Sequence, residues 1–278
     1  MENYRIDVST YNGTIDWAKV KKDKHGTFAI IKATQGKSIY SLIKRYLFTD
    51  SKFKRNITEA AKHNIPIGVY HYLTASTVAE AIEEANYFLK VIEPYKKSIT
   101  LYAAVDVEED SIFAKLTKAQ NTKIVNTFCE YVAAAGYKPI IYTNRNYLAY
   151  RLNKDDIIDK YDVWQAHWSK NKPTDCGDRL KIWQYGTTAV NGIKGDTDGN
   201  IAYFDLNAAA PFKKGDKVRI KKGARYGGNS SGTGKKIPDW AIGKVYTIMS
   251  VHDKDKTTEA LIEELYSWVG STYLEKVV

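Results

Sequence analysis

Runs of β-branched and aromatic residues alternate with stretches of helical periodicity between residues 5 and 206 of this 278-residue chain. This alternation is typical of βα units, in which a strand, a helix and a parallel strand follow one another. The strand candidates are 5–9, 28–34, 66–72, 101–108, 139–143, 163–168, 181–185 and 202–206. The helix candidates are 50–63, 76–92, 117–135 and 145–152. Because the helical pattern fades after residue 152 while strands continue, the sequence predicts a barrel that starts with βα units and closes with nearly bare strands.

The sequence changes character after Pro211, which ends a run of alanines and begins a short polar connection. Residues 217–221 alternate apolar and charged side chains with the period of two that marks a strand, and 243–251 are also strand-like. A segment this short and this rich in strands predicts a compact β module. We therefore expect two domains, 1–209 and 210–278.

Composition excludes several classes of protein. The chain is 44% hydrophobic and 27% charged, with a mean hydropathy of −0.44, and charges interrupt every apolar run, so we expect neither disorder nor a membrane span. Cys129 and Cys176 give no disulfide framework and no metal-binding spacing. The five histidines show neither the HxxxH nor the HExxH pattern of zinc sites. We expect no metal and no cofactor.

The net charge of +10 favours a polyanionic partner. Residues 1–210 and 211–278 each carry +5, so the C-terminal segment is about threefold denser in net positive charge. A basic balance suits nucleic acid, an anionic membrane surface or an anionic cell-wall polymer equally well. The chain carries no fingerprint of a nucleic-acid-binding module, and the sequence leaves the oligomeric state open. The first residues lack the apolar core and the cleavage site of a secretory signal, so we expect the chain to stay in the cytoplasm until it is released.

Two acids end an apolar strand candidate in the string Tyr-Ala-Ala-Val-Asp-Val-Glu. Residues i and i+2 of a strand point the same way, so Asp106 and Glu108 project from one face. Two carboxylates held this close cannot both ionise at a normal pKa, and a proton donor beside an ionised partner is what glycosidic bond cleavage needs. A strand that simply runs out into solvent explains the pattern equally well.

Two further acids follow the same pattern. Asp7 ends the first strand candidate, and Asp205 ends the last one. If the strands close into a barrel, the first and last strands become neighbours, and all four acids meet at the mouth where such folds place active sites. Taken singly, each acid is better explained as a strand terminator, but their common position favours a catalytic site.

Aromatic and amide side chains also collect toward the ends of strand candidates. Sugar rings have apolar faces and polar rims, so flat aromatic platforms flanked by amides suit them. The substrate-binding candidates of this kind are Tyr70, Tyr72, Tyr142, Trp183 and Gln184. Parity places Trp183 and Gln184 on opposite faces of one strand and leaves open which face lines the barrel.

Residues 4–209 resemble the glycoside hydrolase family 25 lysozymes through many matches in the same order. The matching strings are Asp7-Val8-Ser9, Ile31-Lys32-Ala33-Thr34, Gly68-Val69-Tyr70-His71-Tyr72, Asp106-Val107-Glu108, Ile141-Tyr142-Thr143-Asn144, Trp183-Gln184-Tyr185 and Asp205-Leu206-Asn207. The resemblance implies an α/β fold, an irregular β/α barrel of about five βα units and three further strands. It also implies hydrolysis of the β-1,4 bond between N-acetylmuramic acid and N-acetylglucosamine in peptidoglycan.

The same resemblance implies roles for single residues. Glu108 matches the proton donor of the family. The remaining acids and the substrate contacts that it implies are Asp7, Asp106, Asp205, Tyr142 and Lys32. Gln35 departs from the family pattern, which commonly has a glutamate there. An amide does not titrate, so an acid or base role for this position is excluded.

The C-terminal segment resembles the bacterial SH3-like domains that tether such hydrolases to cell walls. The resemblance rests on Gly215-Asp216-Lys217-Val218, Gly243-Lys244-Val245-Tyr246 and Trp268-Val269. A lysozyme with a wall-binding domain and no signal peptide resembles a phage endolysin, which waits in the cytoplasm for membrane pores and then acts on a Gram-positive wall.

Several alternatives stay open at this point. A catalytically silent wall-binding lectin on the same barrel is one, and a nucleic-acid-binding protein, suggested only by the pI of 9.2, is another. Within the glycosidase hypothesis, either the substrate acetamido group or a water activated by an aspartate makes the attack.

Overall fold

The structure is a computed structural model that describes residues 4–36, 46–204, 212–228, 230, 232–254 and 257–277. The chain divides into two compact units, Met1–Tyr203 and Phe204–Val278. Each unit has its own hydrophobic core. The predicted site residue Asp205 and the predicted boundary at residues 209–210 lie outside the described residues.

The first unit alternates strands and helices along the chain. Its strands are β1 (Tyr4–Val8), β2 (Ala29–Gln35), β3 (Phe48–Thr49), β4 (Ile67–Tyr72), β5 (Ile99–Asp106), β6 (Lys138–Asn144), β7 (Asp162–Ala166), β8 (Leu180–Ala189) and β9 (Asp196–Ala202). Its helices are α1 (Trp17–Val20), α2 (Phe53–Lys62), α3 (Val78–Ile92), α4 (Asp110–Phe113), α5 (Lys118–Ala134), α6 (Arg145–Tyr150) and α7 (Lys154–Lys160).

Eight of these strands close into a barrel. β1, β2, β4, β5, β6, β7 and β8 are parallel neighbours in that order, and β9 fills the gap between β8 and β1, antiparallel to both. The short strand β3 pairs with the end of β2. Five βα units followed by three strands confirm the predicted fold class.

The helices begin and end where local chemistry dictates. Thr117 caps α5 by accepting a hydrogen bond from the backbone N–H of Gln120, whose side chain reaches back to the backbone of Thr117. The fully buried side chains Phe88 on α3 and Phe128 on α5 pack between these helices and the barrel, with their ring centroids 5.7 Å apart. The long helices are thus fixed by an apolar stripe, as their periodicity predicts.

One short helix that the sequence did not predict follows residue 152, where the helical pattern fades. α7 follows β6 and α6, and Ile157 is its single fully buried residue. A helix that buries one side chain carries no amphipathic stripe, so hydrophobic periodicity does not detect it.

The prediction of a strand at residues 202–206 is also wrong in the part that the structure describes. The last barrel strand is β9, which ends at Ala202, and Tyr203 and Phe204 lie beyond it. The prediction followed the apolar run, whereas most of β9 is polar, and its side chains Asp198 and Asn200 lie at the cluster of acids. In this register Asp198 pairs with Asp7 of β1.

The second unit is an antiparallel five-stranded sheet. Its strands are β10 (Lys217–Ile220), β11 (Val245–Lys254), β12 (Thr257–Ile262), β13 (Ser267–Gly270) and β14 (Leu274–Lys276). They lie in the order β13-β12-β11-β10-β14 around a core that includes Val218, Ile248 and Leu274. The predicted all-β module is therefore confirmed, and its likeness to SH3-like domains stays a prediction. In neither unit do the described residues form a helix with the length and apolar character needed to cross a bilayer.

The loop between β8 and β9 makes a close approach that only glycine allows. Gly192 has φ +103°, and a Cβ there would lie 2.5 Å from the carbonyl oxygen of Asp16. The backbone N–H of Asp16 also donates to the carbonyl oxygen of Gly192, at 2.8 Å. This contact joins the start of α1 to the hairpin that closes the barrel.

We expect Gly192→Ala to lower the free energy of unfolding of the barrel by about 2 to 4 kcal/mol, because it adds a backbone clash to a strained φ. Gly195→Ala is the matched control, since Gly195 has φ +78° with open space around its Cα. It should lose only about 1 kcal/mol. Urea unfolding of both variants measures the difference, and equal losses would contradict the role of the contact.

Candidate active site

A cleft of about 660 Å³ opens at the end of the barrel where the parallel strands terminate. Active sites of βα barrels lie at this end because the loops after the strands surround it. The lining of the cleft includes Asp7, Lys32, Gln35, Tyr70, Tyr72, Asp106, Glu108 and Asp198. Three of the four predicted acids, both β4 tyrosines and Lys32 are thus brought together.

A second groove, of about 1240 Å³, shares Glu108 and Asp198 with the cleft. Its other lining residues include Tyr142, Asn144, Arg145, Tyr150, Trp168 and Gln184. The two spaces therefore meet at the acids. A polymer lying across them would have its backbone beside Glu108 and Asp198.

Asp7 is buried and held by two amides. Oδ2 of Asp7 accepts hydrogen bonds from Nδ2 of Asn200 at 2.7 Å and from Nε2 of Gln184 at 3.2 Å. The pKa of Asp7 is raised to about 8, first by burial and then by the negative charge of Asp198, against the opposing effect of the hydrogen bonds from Asn200 and Gln184. Asp7 therefore retains its proton at neutral pH.

Asp106 and Glu108 are also shifted toward the protonated form. Burial, and then the charge of Glu108, raise the pKa of Asp106 well above its usual range, while Lys32 opposes the shift. Burial raises the pKa of Glu108, the charge of Lys32 lowers it, and the charge of Asp198 raises it. The spacing of the two acids predicted that their mutual repulsion raises a pKa, whereas in the structure burial is the first cause of the raised pKa of Glu108.

Oδ1 of Asp106 is buried and has no hydrogen-bond partner among the described residues. An unpaired buried carboxylate oxygen is costly unless a ligand completes its hydrogen bonding. Asp106 is thus prepared to accept a donor from a molecule in the cleft.

Lys32 brings a positive charge to the acids. Its Nζ donates to Oε1 of Gln35 at 2.8 Å and lies 5.0 Å from the ring centroid of Tyr72. Burial lowers the pKa of Lys32, and the negative charges of Asp106, Asp50 and Glu108 raise it. The amide of Gln35 holds the ammonium group without neutralising it, so its charge remains available to the carboxyls.

A layer of rings and amides supports the acids from below. The rings of Tyr142 and Trp164 meet edge to face at 4.6 Å, and Nε1 of Trp164 donates to Oδ1 of Asn200 at 2.7 Å. The hydroxyl of Tyr142 donates to Oε1 of Gln184 at 3.0 Å. Each amide is therefore oriented with its NH₂ group toward Asp7.

The structure places Trp183 away from the other residues that were predicted to contact the substrate. It projects from the face of β8 opposite Gln184, where its Nε1 donates to the backbone oxygen of His167 at 2.7 Å. Its ring packs against Tyr185 on that same face, at 6.1 Å. The face that carries Gln184 is the one that lines the site, which parity alone left open.

Sequence reasoning missed Asp198 and Asn200. Both lie on β9 in the string Asp-Thr-Asp-Gly-Asn, where carboxyl and amide side chains recur at every second position, 196, 198 and 200, with the period of two of a strand. That alternation was the available signal, but the neighbouring apolar run at 201–204 drew the strand assignment away from it.

Comparison with known proteins assigns this arrangement to a family. A family model described as glycosyl hydrolases family 25 matches residues 6–193. The chain belongs to glycosyl hydrolase family 25. The match covers β1 to β8 and therefore includes Asp7, Asp106 and Glu108.

The chain spans about two thirds or less of the length of three distant relatives. Lysozyme M1 of Streptomyces globisporus is 29% identical over 204 residues, covering 70% of this chain and 66% of that protein. The D-alanyl-L-alanine endopeptidase of Streptococcus phage B30 is 30% identical over 227 residues, which is 77% of this chain and 46% of the relative. The modular autolysin LytC of Streptococcus pneumoniae, solved with a synthetic peptidoglycan ligand, matches with a TM-score of 0.63 and 25% identity, covering 73% of this chain and 47% of LytC.

The raised pKa of Asp7 predicts a pH-dependent stability of the barrel. The folded protein holds this proton up to about pH 8, whereas an unfolded aspartate releases it near pH ~4. The stability present below the lower value is lost as pH rises through the higher one.

Asp7→Asn does not titrate, so between pH 5 and 8 it should gain about 1 to 3 kcal/mol of unfolding free energy relative to wild type. Urea unfolding at several pH values measures this difference. Asp155→Asn on exposed α7 controls for the loss of one negative charge. A difference between Asp7→Asn and wild type that stays constant with pH would contradict the prediction.

Proposed function

We propose that this protein is a lysozyme that hydrolyses the β-1,4 bond between N-acetylmuramic acid and N-acetylglucosamine in bacterial peptidoglycan. The observation that carries the proposal is the meeting of two grooves at a cluster of carboxyls whose pKa values are all raised, Asp7, Asp106, Glu108 and Asp198. Membership of glycosyl hydrolase family 25 and the names of lysozyme M1 and of the LytC ligand complex support it.

Glu108 is the proton donor in this proposal. It lies where the cleft and the groove meet, and burial raises its pKa, which favours the protonated form that a general acid needs. The proton passes to the glycosidic oxygen as the bond from that oxygen to C1 breaks. Glu108, now ionised, then takes a proton from the water that completes the hydrolysis.

Asp106 orients the reacting sugar. Its unpartnered Oδ1 accepts the N–H of the acetamido group, which turns the acetamido carbonyl oxygen toward C1 for attack. A hydrogen bond to a carboxylate favours its ionised form. Substrate binding therefore shifts the shared proton of this coupled pair from Asp106 toward Glu108, where the reaction needs it.

Asp7 and Asp198 stabilise the positive charge that develops on the sugar ring as the glycosidic bond breaks. Asp198 lies opposite Asp7 in the β1–β9 pairing, and burial raises the pKa of Asp198. With Asp7 protonated, Asp198 is the acid of this pair nearer to ionisation and faces both grooves. We propose that the ionised carboxylate of Asp198 stabilises the positive charge that develops at C1.

We expect Glu108→Gln to lose at least about 100-fold in the rate of wall hydrolysis, because a positioned general acid contributes about 10²–10⁴. Turbidity loss of purified Gram-positive walls measures the rate, and mass analysis of the soluble products identifies the bond. Fragments ending in reducing muramic acid are expected from wild type. Glu130→Gln, on the exposed side of α5, is the matched control and should keep full activity.

Near-normal turnover by Glu108→Gln would remove this residue from the mechanism. New peptide termini without new reducing ends would instead indicate an endopeptidase, as in the name of the phage B30 relative. Wall binding without soluble fragments from either protein would support the lectin.

We further propose that the second unit binds the wall of a Gram-positive host, and that the protein serves as a phage endolysin, released from the cytoplasm at lysis. Phage proteins among the relatives support that role. In the second unit, Trp240 is 61% exposed, and Nζ of Lys244 lies 5.7 Å from its ring centroid. An exposed ring beside a cation suits a sugar-containing anionic polymer.

Removing the chain after Pro211 should weaken binding to intact walls more than it slows hydrolysis of soluble fragments. In the full-length protein, Trp240→Ala should weaken wall binding in the same direction and leave hydrolysis of soluble fragments unchanged. Co-sedimentation with purified walls measures affinity. Unchanged affinity after the truncation would overturn the wall-binding role.

A further inference from the structure

β2 contains an irregularity beside the cleft. In its pairing with β4, Lys32 lies opposite Tyr70, and Thr34 lies opposite the next residue, His71. Ala33 is therefore one residue in excess, which is the signature of a β-bulge. Bulges next to active sites redirect side chains.

The bulge changes which side chains of β2 face the cleft. Residues three apart on a regular strand point to opposite faces. Lys32 and Gln35 nevertheless both line the cleft and are joined by the 2.8 Å hydrogen bond between Nζ and Oε1. Thr34, between them, points away from the cleft.

Thr34 ends a chain of buried polar contacts outside the barrel. Its Oγ1 lies 2.7 Å from Nδ1 of His71, and Nε2 of His71 lies 2.7 Å from Oε2 of Glu84 on α3. Oε1 and Oε2 of Glu84 accept hydrogen bonds from the hydroxyl and the backbone N–H of Thr74, both at 3.0 Å. Thr34, His71 and Glu84 are fully buried.

The chain of contacts is locked in place by its surroundings. The ring of His71 stacks on Phe128 at 5.0 Å. A Cβ on Gly36 would lie 2.1 Å from Oγ1 of Thr74 and 2.3 Å from Oε1 of Glu84. The backbone that follows the bulge is thus pressed against the same network.

Stability alone gives a weak reason to bury these groups. Removing a carboxylate and an imidazole from water is expensive, and apolar side chains of similar volume often serve stability as well or better. A buried polar contact is best attested as a device that fixes one register among several. Here the register it fixes is that of β2 against β4.

We propose that Thr34, His71 and Glu84 are positioning residues for the glycosidase reaction, because they hold the β2 bulge that turns Lys32 and Gln35 into the cleft. The inference rests on the proposed function. Among the described residues that line the cleft, Lys32 is the one lysine or arginine. The charges that face it are Asp106 and Glu108 from the β5 end and Asp50 from the loop before α2, with the rings of Tyr70 and Tyr72 from β4.

Relaxing the bulge moves this cation away from the acids. Its charge opposes the rise in the pKa of Asp106 and of Glu108, so both pKa values rise when it withdraws. The limb of the pH–rate profile that needs an ionised Asp106 then moves to higher pH. The limb that needs a protonated Glu108 moves in the same direction.

The test is the pH dependence of kcat/KM for release of reducing ends from purified peptidoglycan. We expect Thr34→Val and Lys32→Met each to move the profile upward by about half a pH unit to one unit. Thr34→Ser, which keeps the hydroxyl group, should show the wild-type profile. The double variant should move no further than Lys32→Met alone, because Thr34 acts through Lys32.

The competing outcomes are separable. A lower melting temperature of Thr34→Val with an unshifted profile would mean that the network is merely structural, and additive shifts in the double variant would also overturn the proposal. Glu84→Gln keeps the volume of the side chain but replaces one of the two accepting oxygens of the network by a donor NH₂ group. It is expected to shift the profile in the same direction and replaces Thr34→Val if that variant does not fold. Release of no reducing ends by wild type would refute the proposed function itself.

Discussion

The repulsion among carboxyl groups at one end of the barrel is the constraint that organises the rest of the first unit. Asp7 and Asp106 are buried, and Glu108 and Asp198 lie within the range of their charges. Such a group of acids is tolerated only if protons, donors and a cation offset it. The raised pKa values, the amides on Asp7 and the ammonium of Lys32 are these three offsets.

The offsets come from strands that are far apart in sequence. Asn200 stands on β9, Gln184 on β8 and Lys32 on β2, and closure of the barrel brings all three to the acids of β1 and β5. The barrel therefore does more than support the site. It supplies the groups that make the site electrostatically possible, and the pairing of β9 with β1 is the step that completes it.

The sequence predicted most of this fold because most strands and the long helices bury apolar faces. β1 to β8, apart from the two-residue β3, lie within a few residues of their predicted positions. The start of α5 was predicted from the sequence because the side chain of Thr117 is a common N-cap. β9 and α7 were not predicted because β9 buries mostly polar side chains and α7 buries only one residue. Neither element therefore shows a periodic pattern of apolar residues.

The same distinction separates the parts of the site that were predicted from those that were not. Asp106 and Glu108 stand at the end of an apolar strand, and acids in that position indicated a candidate site. Asp198 lies inside a polar strand, where an acid does not differ in character from its neighbours and so gives no signal of a site. The positions of Lys32 and Gln35 on one face depend on the bulge at Ala33, and a parity argument assumes that no bulge is present.

The two spaces that meet at Glu108 and Asp198 determine where along a polymer such a site can work. A saccharide that fills both the cleft and the groove continues past the acids in each direction. If the substrate is the glycan strand of the proposed function, such a site accepts the interior of the strand as readily as its end. A cross-linked polymer loses its mechanical strength after a few cleavages in the interior of its strands, long before the strands are degraded to small sugars. The geometry therefore favours rupture of the wall over its complete degradation.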